Sequence, residues 1–194
     1  MNPTQRIFIS LLFLVIGSGL SAQFSSKSKK AIKLFKEAQV LPTTQLDPAT
    51  RLPDFKAGIA LLNKAIGKDP QFYEAYLLRA EFNLNVKDSE GAISDYESAL
   101  RIAPEHSRTG MTFYRLGDLY MDKGDYNNSL RYIQQFIKHP NANDEYMNMA
   151  ISIKESALFA IDAIKNPKPF NPINVGSGVN TSLAEYYPTL TVDG

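Results

Sequence analysis

The sequence predicts an all-α protein made of helical hairpins, about seven helices in all, followed by an extended linker and one β-strand. The first observation is an internal repeat, because moving the 194-residue chain by 34 positions superposes NKAIGKDP (63–70) on ESALRIAP (97–104). The second is a third copy, displaced by three residues, which occupies 114–140 and again closes on a proline. The third is the composition after residue 165, where prolines and glycines replace the helical spacing of apolar residues.

The first 22 residues predict a secretory signal peptide. Met1–Arg6 carries one positive charge, Ile7–Ile16 is uncharged and apolar, and Gly17–Ala22 is rich in small residues. The alternative is an uncleaved membrane anchor, but the apolar run is shorter than the roughly 20 residues that a span needs. We therefore expect cleavage near Ala22, which leaves Gln23 first, and export to a periplasm.

Residues 23–165 predict the helical domain. Prolines end the second helix of each hairpin, and Asp88 and Asp125 stand where a helix N-cap is expected. Two prolines within Val40–Leu52 predict an irregular surface loop rather than helix. The predicted helices cover 27–39, 54–67, 71–86, 89–102, 109–123, 126–138 and 144–165.

Two places in this domain indicate additional packing. Phe136 occupies a second-helix position that is small in the other copies, so either its helix is pushed outward or a different element packs there. The last predicted helix, 144–165, has one apolar face at helical spacing and a second apolar strip formed by Met147, Ile151 and Leu158. We expect that something else packs on this second strip.

The last 29 residues predict a linker over 166–183 and one strand over 184–194. Residues 184–192 alternate in the way a strand does, Pro188 favours an edge or starting strand, and Asp193-Gly194 is a strong hairpin-turn signal. Half a hairpin lacks a partner. We therefore expect the native chain to continue beyond Gly194, the alternative being that the strand pairs with another molecule.

The repeated segments resemble the tetratricopeptide-repeat family over roughly residues 27–165. Small residues stand at the close helix contacts, such as Ala80, Ala92, Ala99 and Gly117. Gly58 stands where the family prefers Ala. The resemblance implies paired antiparallel helices whose first members line a concave, protein-binding groove.

By the same resemblance, the groove would carry residues from the first helices of the second and third repeats. They are Glu74, Leu77, Glu81, Asn85, Met111, Tyr114, Arg115, Asp118 and Asp122. Only Arg115 is similar to the Lys and Asn of the family's carboxylate clamp, and the acidic residues favour a basic or polar partner segment. The alternative is a groove that is only solvated, or filled by the chain's own tail.

A second resemblance is found at the end of the chain, where EYYPTLTVDG is similar to the opening of a β-propeller of the TolB/WD40-like class. The order of segments is similar to that of PorE-type OmpA-family envelope proteins of Bacteroidetes. That order is a signal peptide, helical repeats, an NPKPF-like linker and such a propeller. These proteins are associated with type IX secretion and gliding motility. The resemblance implies an outer-membrane partner of the PorP/SprF kind, and contact with peptidoglycan only through a domain absent from this chain.

The composition gives no support for catalysis, cofactors or nucleic-acid binding. Cysteine is absent, and the chain has only two histidines, His106 and His139, which we interpret as structural. No nucleotide-binding, zinc-protease or nucleophile-elbow motif occurs. Loss of Arg6 with the signal leaves a formal net charge of zero, against the basic surface that nucleic acids require. The sequence therefore favours a periplasmic interaction scaffold, with a periplasmic assembly chaperone as the alternative; an enzyme would need a catalytic domain elsewhere.

Overall fold

The computed structural model describes residues 24–168, and this part of the chain folds into seven α-helices. The predicted all-α class and the number of helices are confirmed. The predicted signal peptide, most of the linker and the strand at 184–194 lie outside the described residues. The helices are α1 Lys29–Thr44, α2 Phe55–Lys68, α3 Tyr73–Asn85, α4 Ser89–Ile102, α5 Thr109–Asp122, α6 Tyr126–Lys138 and α7 Asp144–Lys165.

Short polar side chains begin most of these helices. The carboxylates of Asp88 and Asp125 accept hydrogen bonds from the backbone N–H groups of Gly91 and Asn128, which confirms both predicted N-caps. Helix α3 is different, because its N-cap residue is Phe72 and makes no side-chain capping bond. The missing cap is supplied by Ser25, which lies outside the hairpin.

The apolar core is divided into three clusters, each shared by successive helices. The first joins α1, α2 and α3 around residues such as Phe35, Leu62 and Phe72. The second joins α3 to α6. The third joins α5, α6 and α7. Each hairpin therefore completes its core only by packing on its neighbour.

Glycines permit two of the closest helix contacts. A Cβ built on Gly58 of α2 would lie 2.5 Å from Cε2 of Phe82 on α3. A Cβ on Gly117 of α5 would overlap the side chain of Ile133 on α6. Gly58 therefore makes room for a ring at a position where the family prefers Ala.

The prediction of an irregular loop over Val40–Leu52 is wrong for its first five residues, because α1 continues through Pro42 to Thr44. Proline removes one backbone donor, but Pro42 is close to the helix end and is buried. The bond that closes the helix is intact, since the N–H of the C-cap residue Gln45 donates to the Leu41 carbonyl over 2.8 Å. Burial of the ring and the remaining bonds outweigh the lost one.

The rest of this connection is an ordered turn. Leu46 and Pro53 form an isolated antiparallel bridge, and the Asp47 carboxylate accepts hydrogen bonds from the N–H groups of Ala49 and Thr50. Arg51 has a positive φ of 60°. The turn therefore closes back on itself before α2 begins.

Phe136 of α6 is buried because α7 packs against it. Phe136 is fully buried and belongs to the cluster that contains Tyr146 and Ala150 of α7. Of the two alternatives for Phe136, packing by a different element is therefore confirmed. The second apolar strip of α7 is less covered, since Ile151 is 41% and Leu158 is 46% exposed. Along residues 24–168 no helix combines the length and the apolar character needed to cross a bilayer.

Candidate protein-binding groove

Helices α3 and α5 meet through a polar contact at the centre of the predicted groove. Nε of Arg115 lies 3.7 Å from Oε1 of Glu81. The same oxygen accepts a 2.5 Å hydrogen bond from the hydroxyl of Tyr96, which comes from α4. Two of the predicted groove residues are thus brought together, and each serves as the other's counter-ion.

Arg115 is largely enclosed. Only 12% of its side chain is exposed. Burial by itself would lower the pKa of Arg115, but the charges of Glu81 and its neighbours hold that pKa above its usual value. Nη2 of Arg115 is buried and has no hydrogen-bond partner in the described part of the chain. This donor is closed off from the surface, so an enclosed water molecule is the partner that could satisfy it.

Asp118 and Asp122 lie one turn apart on α5. Asp118 is half-buried and Asp122 is exposed. Burial raises the pKa of Asp118, and the neighbouring Asp122 carboxylate raises it further, against the opposing effect of Arg115. Within residues 24–168, neither carboxylate is in an ion pair with a Lys or Arg. This end of the groove carries unneutralised negative charge.

Glu74, at the other end of the predicted groove, is already hydrogen-bonded to Ser25 of the same chain. Its carboxylate accepts hydrogen bonds from the N–H group of Ser25, at 3.1 Å, and from the Ser25 hydroxyl, at 2.5 Å. The Ser25 oxygen in turn accepts from the N–H of Tyr73 and so supplies the cap that α3 lacks. Phe24 packs edge-on against Phe72, with ring centroids 6.0 Å apart. We call residues 24–26 the N-terminal clip.

The remaining predicted residues of α3 differ in exposure. Leu77 is half-buried and packs against the second core cluster. Asn85 is exposed, and its side-chain amide donates to the backbone carbonyl of Glu81 in its own helix. Asn85 therefore stays at the surface, whereas Leu77 contributes mainly to the core.

Tyr114 and Met111 of α5 belong to the third core cluster. Tyr114 is only 3% exposed, with ring centroids 5.4 Å from Phe136 and 4.9 Å from Tyr146. Burial raises the pKa of Tyr114 to about 12. Helix α7 thus covers the groove position that Tyr114 was expected to occupy.

Sequence reasoning missed three contributors to this region, namely Ser25, Tyr96 and Tyr146. The place of Tyr96 on a second helix facing α3 is the signal by which its hydroxyl could have been assigned to the groove. Ser25 carries no such signal, since its partner Glu74 is 49 residues away. Tyr146 was expected on a buried face, but its contact with Tyr114 depends on how α7 folds back.

Both histidines lie in connections between helices. Nδ1 of His106 accepts from the N–H of Arg108, and the His106 ring lies against Tyr73 with centroids 4.3 Å apart. Nδ1 of His139 accepts from the N–H of Asn141. Among residues 24–168 no group of three His, Asp or Glu side chains is placed to hold a metal ion.

Two family profiles match the chain. Both describe tetratricopeptide repeats, one over residues 51–107 and the other over residues 112–138. The comparison with curated proteins finds no match. The matched ranges cover most of α2 to α6, in which α3 and α5 stand as the first helices of two repeats. The chain therefore contains a tetratricopeptide-repeat region.

Proposed function

We propose that this chain is a protein-interaction scaffold which holds a basic, extended segment of a partner protein against α3 and α5. The observation that carries the proposal is that only some of the acidic side chains in the groove have a partner within the chain. Glu74 and Glu81 are satisfied within the chain, whereas Asp118 and Asp122 have no cationic partner in its described part. A Lys or Arg side chain would relieve the repulsion between these two carboxylates.

Arg115 lies in the same helix, one turn before Asp118, but its charge already faces Glu81. An extended peptide offers side chains at fixed intervals. A partner segment could therefore place a cationic side chain at Asp118 and Asp122.

The cellular setting in this proposal comes from the sequence outside the described residues. The signal-like residues 1–22 and the propeller-like residues 184–194 support a periplasmic adaptor at the outer membrane, linked to type IX secretion or gliding. An outer-membrane protein of the PorP/SprF kind is the partner that this resemblance suggests.

The groove is tested with a synthetic peptide of alternating Lys and Ser residues, fluorescein-labelled, and a matched peptide in which every Lys is replaced by Glu. We expect the Lys peptide to bind and the Glu peptide not to bind, by fluorescence anisotropy. Changing Asp118→Asn and Asp122→Asn together should weaken binding about ten-fold, since two groove charges contribute on the order of 1.4 kcal/mol. Added salt should weaken it as well.

Glu105→Gln is the matched control, because Glu105 is an exposed acid in the connection between α4 and α5. This variant should bind the Lys peptide like the wild type. Equal binding of the two peptides, or equal loss in the Glu105 variant and the double variant, would overturn the groove proposal. In native extracts, a scaffold co-purifies with one partner in a fixed ratio, whereas a chaperone co-purifies with many clients.

A further inference from the structure

We infer that the outer strip of α7 is a docking surface for the segment that follows it in the same chain, residues 169–175. The outer strip is defined as Met147, Ile151 and Leu158. This inference is independent of the proposed groove, since it concerns a different face and a different ligand.

The strip is a second, largely apolar face of α7, on which Lys154 stands between Ile151 and Leu158. Each of its members directly follows a buried residue, namely Tyr146, Ala150 and Ala157. One residue corresponds to about 100° of rotation, so the outer strip is turned by that angle from the buried face. Within residues 24–168 Met147 is half-buried, whereas Ile151 and Leu158 are left exposed.

The exposure of apolar side chains increases toward the C-terminal half of the helix. Ile151 is 41% exposed, Leu158 is 46% exposed, and the neighbouring Phe159 is 76% exposed. A terminal helix of a repeat stack needs a polar outer face to be soluble. The uncovered area lies beside the point where the chain leaves α7, and this proximity favours the following segment as its occupant.

The following segment has the composition that such a face requires. Residues 169–184 contain no charged side chain, and Phe170, Ile173 and Val175 are apolar. Prolines at 167, 169 and 172 favour an extended conformation, which reduces the entropy lost on docking. Because the segment is tethered, its effective concentration at α7 is on the order of millimolar, without any encounter between molecules.

The lengths also match. Leu158 is about 10 Å and Ile151 about 21 Å from Lys165 along the helix axis, at 1.5 Å per residue. An extended proline-rich chain advances about 3.1 Å per residue, so Phe170 reaches about 15 Å and Ile173 about 25 Å from Lys165. The backbone leaves helical geometry at Asn166, with φ −124° and ψ 62°. A reversal there would carry Phe170 to Leu158, and Ile173 to Ile151.

Paramagnetic relaxation in the full chain tests this inference. The chain has no cysteine, so Glu155→Cys accepts a single nitroxide label beside the strip. We expect the amide signals of residues 170–175 to lose most of their intensity in a dilute ¹⁵N-labelled sample. A label at Lys64→Cys, exposed on α2, should leave those signals unchanged.

Two further measurements decide between occupants. Leu158→Ser removes an apolar contact at an exposed position and should restore the signals of 170–175 while α7 stays helical. A mixture of nitroxide-labelled unenriched chain and unlabelled ¹⁵N chain should show no loss. Loss of signal in the mixture would assign the strip to a second copy, and unchanged signals in every sample would show that residues 169–175 do not dock on it; either result overturns the inference.

Discussion

Both carboxylate oxygens of Asp95 on α4 accept hydrogen bonds from the guanidinium group of Arg79 on α3, at 2.9 and 2.5 Å. The Asn83 amide donates to the same carboxylate, and Arg79 also reaches Asn63 on α2. Asp95 is only 4% exposed. One buried, bidentate ion pair therefore ties together three helices that belong to two successive hairpins.

Asp95→Ala should lower the free energy of unfolding by about 3 kcal/mol, because it leaves the Arg79 charge partly buried without its counter-ion. The measurement is urea unfolding followed by circular dichroism. Replacing both residues together, Arg79→Leu with Asp95→Leu, should cost far less than the single change. A double variant as unstable as Asp95→Ala would show that the pair is not the cause.

Two glycines of α2 offer a matched comparison. Gly58→Ala should destabilise the protein by about 1–3 kcal/mol, because the added methyl group meets the Phe82 ring. Gly67→Ala should stabilise it by about 0.5–1 kcal/mol, since a Cβ at Gly67 meets nothing within 4 Å and alanine favours helix. Thermal unfolding of both variants checks this, and a stabilising Gly58→Ala would contradict the packing described here.

The N-terminal clip predicts that a substitution at Ser25 destabilises the start of α3, which lies far along the chain. Ser25→Ala removes the cap of α3 and the hydrogen bond to Glu74, and should cost about 1–2 kcal/mol. Hydrogen exchange should accelerate at the first turn of α3. Ser94→Ala, at an exposed position inside α4, should change stability by less than about 0.5 kcal/mol; an equal loss in both variants would argue against the clip.

Because of Asp118, the stability of the folded protein should fall as pH rises. Its pKa is raised in the folded protein, so the folded state binds protons more strongly than the unfolded one, and stability falls as pH rises from below 3.8 through the raised pKa. Asp118→Asn should therefore raise Tm at pH 7 by about 1–2 °C, the effect expected from relieving one like-charge pair. The gain should shrink toward pH 3.

Asp125 provides a control, because its pKa is shifted in the opposite direction to that of Asp118. The side-chain and backbone groups of Asn128 hydrogen-bond to its carboxylate and lower its pKa, so its contribution is present at neutral pH and is lost as pH falls through the lowered value. Asp125→Ala should therefore lower Tm more at pH 7 than at pH 3. The same sign for both variants would contradict the assigned pKa directions.

The predicted signal peptide has its own test. Mass spectrometry of the native protein should find an N-terminal peptide that begins at Gln23. This start leaves the N-terminal clip, which begins at Phe24, one residue from the new terminus. Retention of Met1 would rule out cleavage and with it the periplasmic setting proposed above.

Local patterns predicted the helices well, because a 34-residue period, proline positions and Asp caps act within a few residues of where they stand. The continuation of α1 through Pro42 was missed, because burial of the ring is a tertiary effect that local proline rules leave out. The N-terminal clip was missed for a related reason, since no periodicity links Ser25 to Glu74.

The candidate groove was predicted in part. The spacing of four residues between Asp118 and Asp122 places them on one face of α5, and this can be read from the sequence. It did not reveal that Glu81 is neutralised by Arg115 or that Tyr114 is enclosed by Tyr146. Both facts depend on contacts between residues that are more than thirty positions apart in the chain.

The division of the core into three clusters determines how this protein responds to stress. Within residues 24–168 each helix contacts helices one or two places away in the chain order, and the first and third clusters share no residue, so strain introduced in the first cluster is not transmitted directly to the third. Such a chain opens by fraying from an end, one hairpin after another, and each lost hairpin uncovers part of its neighbour's core. Pulled at its two ends, it would lengthen in steps and recover quickly, because most contacts to be remade are close in sequence.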